Sequence, residues 1–479
     1  MRKRYLYPLL FLFALSEQAY GQLAVSAESA ILTGAGKNSP FWLISNQQGL
    51  LSTHKNQAYL RLDGQYRYRI NTHADVTVGI DAVGAVHSDR SVYLHQAYLE
   101  TRYRSLTITI GSKENYAGLL DSRLSSGDLV HGTNAAPIPE VNLAMRNFQP
   151  MPLTKGWLQV KGDLAFGRSF DGHYLETKLH TTSPYVKNTL WHHKSLYLRI
   201  GNRSKIPVQL TAGLQHWAQW GGASTDPMIG KQPSGLKDLW KVFCGQEGGE
   251  EATWADMTNV LGNHYGSYDL MISYDSYPVQ LSAYHQHYFE DKGGMEWSNG
   301  LDGLWGGTIT LPRWRYIRKI LFEYLTTRNQ SGPLHFIDFD HTRHPGRGGG
   351  CDNYYNNGEY ATGVSYYQHT LGNPFLINPA YTQTLGFSHN RIRTYHVALD
   401  GKLSPTVSYT VHVSHTTSWG RMEWPIVEPV HLTAIGLGFQ YELRKNPAWQ
   451  LEASTGYDVG QLIGDSWGME LRIRWRLPK

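Results

Sequence analysis

The chain has few cysteines, and beyond its first residues it has no long apolar run. Cys244 and Cys351 are the only cysteines among 479 residues, so the chain can form at most one internal disulfide. An exported chain meets an oxidising compartment, which permits this pairing, but nothing in the sequence fixes the distance between the two residues. No segment after residue 20 holds about eighteen consecutive apolar residues, and this excludes a membrane-spanning helix.

Charge and motif content narrow the function further. The formal net charge is +5, and the basic N-terminal segment contributes part of that excess. The rest of the chain is therefore close to neutral, which argues against nucleic-acid binding. The sequence contains no His-Glu-x-x-His metalloprotease motif and no phosphate-binding glycine loop. We predict a protein without catalytic activity, metal or cofactor.

The N-terminus has the composition of a secretory signal peptide. Met1-Arg2-Lys3-Arg4 is basic, residues 5–16 are mainly apolar, and Ala19-Tyr20-Gly21 fits a small-x-small cleavage site. We predict a signal peptide over residues 1–21 and a mature chain over residues 22–479. No cysteine follows the cleavage site, which argues against a lipoprotein anchor.

Strict alternation of apolar and polar residues is the most informative feature that is present. In the last thirteen residues the odd positions from Trp467 to Leu477 are apolar, and the even positions from Glu470 to Arg476 are charged. A strand places successive side chains on opposite faces, so this segment has one apolar and one polar face. The same pattern recurs along most of the chain, for example in residues 58–70, 158–166, 407–413, 435–443 and 449–458.

These runs predict an all-β fold in a membrane. In an outer-membrane barrel the apolar face of each strand meets lipid and the polar face lines the lumen. We count sixteen to eighteen strand-like runs, which predict a transmembrane antiparallel β-barrel. The 31 tyrosines and 15 tryptophans suit interfacial girdles as well as sugar-stacking surfaces.

Long polar connections are expected on the outer side of this barrel. They fall at residues 112–136, 171–189, 221–263, 291–303, 329–360 and 417–429. A helical insert is predicted at about 234–261, with Ser234 as the cap of an apolar stripe of Leu236, Leu239, Trp240 and Phe243. This insert would form a lid over the lumen or pack on neighbouring loops. Residues 22–55 show little alternation, and the apolar block around Phe41-Trp42-Leu43 would be a periplasmic anchor or the first strand.

The densest polar cluster lies in the loop of residues 338–357. A glycan site here would use Arg343 and Arg347 against anionic sugars, with Tyr354 and Tyr355 as stacking faces. A metal site would instead use Asp338, Asp340, His341 and His344, although the rest of a calcium-loop pattern is missing. A solvated loop without a ligand is the third reading.

Two tryptophans form a second candidate sugar platform. Trp297 and Trp305 flank Asp302 in the sequence, and their rings could stack on a sugar or lie as an interfacial pair. His285 and His287 share one strand face, and we predict that they face the lumen. His216, Trp217 and Trp220 fit the end of a strand at a membrane girdle.

An ordered set of short blocks resembles the Wzi family of capsule-assembly outer-membrane proteins. No single block is diagnostic, but the set follows a family-like order over nearly the whole mature chain. The blocks are Pro40-Phe-Trp-Leu-Ile-Ser-Asn46 with Gly49-Leu-Leu51, Ser125-Ser-Gly127, Asn134-Ala-Ala-Pro-Ile-Pro-Glu140, Trp217-Ala-Gln-Trp-Gly-Gly222, Gly262-Asn-His-Tyr-Gly-Ser-Tyr-Asp269, Glu290-Asp291 with Asp302-Gly303-Leu-Trp-Gly306, Gln330-Ser-Gly-Pro333, Asp352-Asn-Tyr-Tyr-Asn-Asn357 and Gly372-Asn-Pro374.

The resemblance implies a barrel of about eighteen strands in the outer membrane of a Gram-negative bacterium. It implies a lectin-like role in binding and organising capsular polysaccharide or another exopolysaccharide, without catalysis. The expected partners are this polymer and outer-membrane lipid, with the capsule export machinery as a further candidate and no nucleic acid. A porin or solute channel is the alternative function, and an outer-membrane enzyme has less support.

Overall fold

Eighteen antiparallel strands form one closed sheet in the computed structural model. The structure describes residues 21–115, 118–179, 181–253, 256–257, 260–334, 336–337, 348–443 and 448–477, so the expected signal peptide lies, apart from its last residue, outside the described residues. The first nine strands of the barrel are β1 Gly21–Gly36, β2 Gln57–Arg69, β3 Ala74–Val86, β4 Val92–Tyr103, β5 Leu106–Ser112, β6 Glu140–Pro150, β7 Leu158–Arg168, β8 Leu190–Ile200 and β9 Val208–Trp220. The other nine are β10 Asn263–Asp275, β11 Gln280–Phe289, β12 Gly303–Thr310, β13 Lys319–Thr326, β14 Ile392–Lys402, β15 Val407–Gly420, β16 Pro425–Glu442, β17 Trp449–Val459 and β18 Ser466–Arg476.

The first and last strands close the cylinder. β1 pairs with β2 along one edge and with β18 along the other, where the register runs from Ser26 opposite Arg476 to Gly36 opposite Ser466. All neighbouring barrel strands are antiparallel. Because β1 pairs with β18, the sheet closes into a cylinder. The prediction of an antiparallel barrel of about eighteen strands is confirmed.

The apolar face of each strand points outward. In β18 the side chains of Trp467, Leu471 and Ile473 are 46%, 59% and 47% exposed, whereas Glu470 and Arg472 are buried on the inner side. A soluble barrel would show the opposite arrangement, because its apolar side chains would fill the interior. No helix among the described residues is long and apolar enough to cross a membrane.

The two ends of the barrel differ in the length of their connections. The start of β1, the end of β18 and the short turns, such as residues 70–73 and 403–406, lie at one end, which faces the periplasm in barrels of this kind. The long connections lie at the other end. The predicted long loop at residues 417–429 is wrong, because β15 continues to Gly420 and β16 begins at Pro425.

Three long connections fold back into the barrel and fill its extracellular half. We call residues 37–56, 113–139 and 348–391 the plug segments. The first contains helix α1 (Phe41–Ile44), whose four side chains are all buried. These segments share one apolar core, which includes Phe41, Leu50, Leu51, Leu129, Val130, Tyr355, Phe375 and Phe387. The apolar block at residues 41–51 is therefore neither a periplasmic anchor nor a strand, and β1 is the first strand.

Polar contacts fasten the plug segments to the inner wall. The Trp42 indole Nε1 donates to Ser414 Oγ of β15 at 3.2 Å, and its ring stacks on His412 with centroids 4.6 Å apart. Gly436 of β16 leaves room for this contact, since a Cβ there would lie 2.6 Å from Trp42 Cβ. On β13, two strands from β15, Ser125 Oγ donates to a carboxylate oxygen of Glu323 at 2.6 Å. The plug segments are thus fastened to the inner wall at β13, β15 and β16.

Within the described residues, four further helices have defined bounds, and all lie in the extracellular connections. They are α2 Gly172–Lys178, α3 Leu236–Cys244, α4 Lys292–Met295 and α5 Pro379–Thr382. The cap of α3 is Gly235, whose N–H donates to Asp238 Oδ2 at 2.9 Å, so the predicted Ser234 cap is wrong. The structure describes only part of residues 251–261, the end of the predicted helical insert.

Helix α3 packs on the outer rim of the barrel and does not cover the lumen. Val242 is buried against Ala218 and Trp220, which point outward from the end of β9. Leu236 and Trp240 are 86% and 61% exposed, whereas Leu239 packs against the buried cluster, so only part of the stripe predicted from the sequence is buried. The predicted lid is therefore wrong. Cys244 at the end of α3 and Cys351 are free thiols, so the disulfide that the sequence left open is not formed.

Candidate functional site

The extracellular rim of the barrel has a notch above β5. Residues 92–96 at the top of β4 pair with β3, but on their other side β5 ends at Ser112, opposite Ala97. Among the described residues, no strand covers this side of the β4 end. Side chains from β4 and from several extracellular connections surround a cavity of about 330 Å3 in the gap, and they include Arg90, Tyr93, Phe170, Tyr366 and Tyr367.

Arg90 is held between two aromatic rings in this notch. Its guanidinium carbon lies 3.8 Å from the ring centroid of Tyr93 and 4.4 Å from that of Tyr367. One Nη2 donor is taken by the carbonyl oxygen of Gly49, at 2.9 Å. The planar cation is therefore fixed before any ligand arrives, and its remaining N–H groups form a fork that suits a carboxylate.

A tight hairpin positions Tyr366 and Tyr367. Ser365–Tyr366 pairs with His369–Thr370, and Tyr367 and Gln368 between them have φ angles of 50° and 60°. Two positive φ values are the geometry of a type I′ turn. The N–H of Tyr367 also donates to Asp171 Oδ2 at 3.3 Å, and burial raises the pKa of this Asp171 carboxyl to about 6.

The loop predicted to bind glycan does not present its tyrosines. Arg343 and Arg347 lie outside the described residues, as do the four candidate metal ligands between residues 338 and 344. Tyr354 and Tyr355 are both 0% exposed. Asn299 Nδ2 donates to Tyr354 Oη at 2.7 Å, and Tyr355 Oη donates to the carbonyl of Leu129. Because both rings are core residues of the plug, neither offers a face to a polymer.

The structure does bring Trp297 and Trp305 together, on the outer wall of the barrel. Trp297 stacks on His287, with ring centroids 3.7 Å apart and an interplanar angle of 19°. Trp305 stacks on His285, with a centroid distance of 3.6 Å and an interplanar angle of 20°. Both histidines share the outward side of β11 with Leu281, which is 44% exposed. The prediction that they face the lumen is wrong, because the indoles cover polar rings that the sequence pattern assigns to the interior.

The neighbouring sequence candidates have structural roles. Asp302 accepts hydrogen bonds from the N–H groups of Asn329 and Gln330, at 2.9 and 2.8 Å. Trp217 is 4% exposed and stacks on His193 at 4.1 Å, so the predicted place in a girdle is wrong for this residue. Trp220 is buried beneath α3 on the outer rim.

Two local patterns that resemble reactive sites are also structural. Gly464-Asp465-Ser466-Trp467-Gly468 has the spacing of a hydrolase nucleophile motif, but Ser466 opens β18 and donates to Asp458 Oδ2 at 3.1 Å. Asp81, His95 and Glu114 are close enough to hold a metal. Arg61 supplies the positive charge there instead, since its Nη2 lies 2.6 Å from both carboxylates.

Comparison with known families identifies the chain. Residues 21–389 match the model of the family described as capsule assembly protein Wzi. The chain belongs to the Wzi family. A closed antiparallel barrel with an apolar outer band is the architecture of the Gram-negative outer membrane, and this Wzi-family barrel is placed there.

Structural comparison agrees with this assignment of fold. The structure is similar to that of Wzi from Escherichia coli, which is described as a carbohydrate-binding β-barrel and as an outer-membrane protein involved in group 1 capsule assembly. The TM-score is 0.57 at 13% identity, with coverage of 94% of this chain and 83% of that chain. OccK5 (OpdH) of Pseudomonas aeruginosa gives a TM-score of 0.49 at 9% identity, with coverage of 96% and 98%. A sequence comparison with curated proteins gives no match.

Proposed function

We propose that this Wzi-family barrel binds capsular polysaccharide or another exopolysaccharide at the cell surface and retains it there without catalysing a reaction. The observation that carries the proposal is the rim notch, where Arg90 lies between Tyr93 and Tyr367. Aromatic faces beside a fixed guanidinium suit a polymer of acidic sugars, since the rings stack on sugar faces and the cation pairs with a carboxylate. The carbohydrate binding described for E. coli Wzi supports the same reading.

Retention would come from many weak contacts. A single stacked ring and one charged hydrogen bond give modest affinity, but a repeating polymer engages many barrels in one membrane at once. The second and later contacts are then intramolecular, and avidity can exceed the single-site affinity by about 10²–10⁴-fold. Arg343 and Arg347 remain predicted contacts of the polysaccharide, and the capsule export machinery remains a predicted partner. Trp297 and Trp305 remain predicted sugar-binding residues, but they lie on the outer wall and outside the residues that line the notch.

Removing the half-buried Tyr367 ring that covers Arg90 is the direct test of the notch. We expect Tyr367→Ala to weaken binding of acidic polysaccharide by roughly fivefold, because an aromatic contact contributes about 1 kcal/mol. Tyr367→Phe keeps the ring and should bind like the wild type. The measurement is binding of detergent-solubilised protein to an array of acidic and neutral polysaccharides.

Tyr68→Ala is the matched control for this experiment, because Tyr68 is an outward-facing tyrosine near the short-turn end of β2 and is 45% exposed. It should leave binding unchanged. Equal binding by the wild type and Tyr367→Ala would show that the notch is not the glycan site.

The alternative function as a channel requires an open lumen. The plug segments fill the extracellular half of the barrel with a shared apolar core, so we expect no large, stable pores when the purified protein is inserted into a planar lipid bilayer. The measurement is single-channel conductance, with a general porin as the positive control. Stable openings of porin size in the wild type would favour transport over retention.

A further inference from the structure

The lipid-facing wall carries a groove over strands β9 to β13. Its floor is formed by Ala283 of β11 and Gly307 of β12, which lie opposite each other in the sheet register. Both residues point outward and lack long side chains, so the wall is depressed between its neighbours. The groove has a volume of about 960 Å3, and its apolar sides are formed by Leu210, Leu270, Ile272, Leu281, Ile309 and Phe322.

The wall is also short at this place. β12 and β13 have eight residues each, whereas membrane-spanning strands need about 9–11 residues. At about 3.3 Å per residue and a tilt of about 40°, eight residues span roughly 20 Å, which is less than the usual apolar band of about 25 Å. Lipid beside this wall therefore meets an apolar band that is shorter than usual.

The extracellular end of the groove is polar and aromatic. Trp305 and His285 line it, and Trp297 with His287 lies next to them on the same outer face. Trp297 and Trp305 are 52% and 38% exposed, because each ring has only one face against an imidazole. Indoles in this position match the headgroup level of the outer leaflet.

Both imidazoles keep a buried acceptor without a partner. His285 Nδ1 lies 3.2 Å from the carbonyl of Leu304, and His287 Nε2 lies 2.8 Å from that of Gly294. A carbonyl only accepts, so these nitrogens carry the proton and the other nitrogen of each ring is an acceptor. His285 Nε2 and His287 Nδ1 have no hydrogen-bond partner within the described part of the chain. His285 is 8% exposed and His287 is 0% exposed.

We propose that this groove is a binding site for an outer-leaflet glycolipid, with one acyl chain on the Ala283–Gly307 floor and the sugar against Trp305. A buried acceptor needs a donor, which a sugar hydroxyl or an amide N–H of a glycolipid provides. A phosphocholine headgroup has no N–H or O–H donor and would leave His285 Nε2 unpaired. The site is separate from the notch that the proposed polysaccharide function uses, so either can fail alone.

Filling the floor of the groove tests the acyl-chain half of the proposal. Ala283→Phe places a ring in the groove, and Ala453→Phe places the same ring on the outward side of β17, away from it. Each protein is extracted from outer membranes in mild detergent and its retained lipids are measured by native mass spectrometry. We expect the wild type and Ala453→Phe to carry glycolipid and Ala283→Phe to lose it, with the heat-dependent gel shift of a folded barrel in all three.

Replacing His285, whose Nε2 is the unpaired acceptor, tests the part of the proposal that concerns the headgroup. His285→Phe keeps a ring beneath Trp305 but removes Nε2. In nanodiscs that contain glycolipid and phosphatidylcholine, the wild type should enrich bound glycolipid over phospholipid, and His285→Phe should lose this enrichment. Equal retention by Ala283→Phe and Ala453→Phe, or a wild type that retains phospholipid as well as glycolipid, would overturn the proposal.

Discussion

Replacing Trp42 with alanine is expected to destabilise the plug segments by about 3–5 kcal/mol while the barrel stays closed. The indole of Trp42 is 9% exposed and stacks on both His412 and His396 of the inner wall. Alanine removes these contacts and the hydrogen bond to Ser414, and it leaves a cavity between α1 and the wall. The strands lose no partner, because the barrel register does not involve residue 42.

Two measurements separate loosening of the plug from unfolding of the barrel. Limited proteolysis should cut the plug segments of Trp42→Ala faster, and single-channel recording should show openings that the wild type lacks. Trp467→Ala is the matched control, since this tryptophan faces lipid on β18 and is 46% exposed. Identical proteolysis and conductance in Trp42→Ala and the control would mean that the plug does not depend on this anchor.

Raising the pH from 5 towards 8 is expected to loosen the plug segments around Glu290. This carboxyl follows β11 and contacts the plug at Tyr355, and burial raises its pKa from 4.5 to about 8 against the opposing hydrogen bonds from Tyr288 and Tyr355. Between these two values the folded protein binds more protons than the unfolded chain. Stability is therefore greatest below pH 4.5, falls as the pH rises towards 8 and is constant above it, as far as this group is concerned.

Glutamine at position 290 isolates this effect. Glu290→Gln keeps an oxygen that accepts from Tyr288 Oη and from the N–H of Tyr355, but it cannot ionise. One pKa unit corresponds to about 1.4 kcal/mol, so the variant should gain a few kcal/mol over the wild type at pH 9 and little at pH 5. Proteolysis rates of residues 348–391 at the two pH values provide the measurement, with the exposed loop carboxylate Glu247 changed to glutamine as control. A Glu290→Gln variant that follows the pH profile of the wild type would contradict the argument.

The barrel could be predicted from the sequence because its signal is local. Alternation along β2, β15 or β18 reports directly which side chains meet lipid, and only the number of runs then needs to be counted. The first strand was missed because residues 21–36 are rich in small residues such as Ala30 and Gly34, whose faces differ little in polarity. The loop at residues 417–429 was misplaced for a related reason. Thr416, Thr417 and Ser418 are all polar, so alternation is lost although these residues lie on β15.

The candidate site depends on tertiary contacts that no local pattern shows. Arg90 and Tyr367 are far apart in the chain, and only the inward path of the plug segments brings them to one notch. Tyr354 and Tyr355 suit a stacking surface by composition, yet the same aromatic character makes them core residues of the plug. The paired tyrosines at positions 366 and 367 are a local signal that could have pointed to the notch, but the sequence analysis did not single them out.

The seam between β1 and β18 has a consequence for biogenesis. Ser29 lies opposite Ile473, so the two halves of this seam are separated by almost the entire chain, and the ring is completed only after the final strand has been translated and exported. Until then both terminal strands present unpaired N–H and C=O groups, a state that promotes aggregation. Closure over such a sequence separation is intrinsically slow, and the nascent barrel therefore needs an assembly factor that shields its two open edges until they meet.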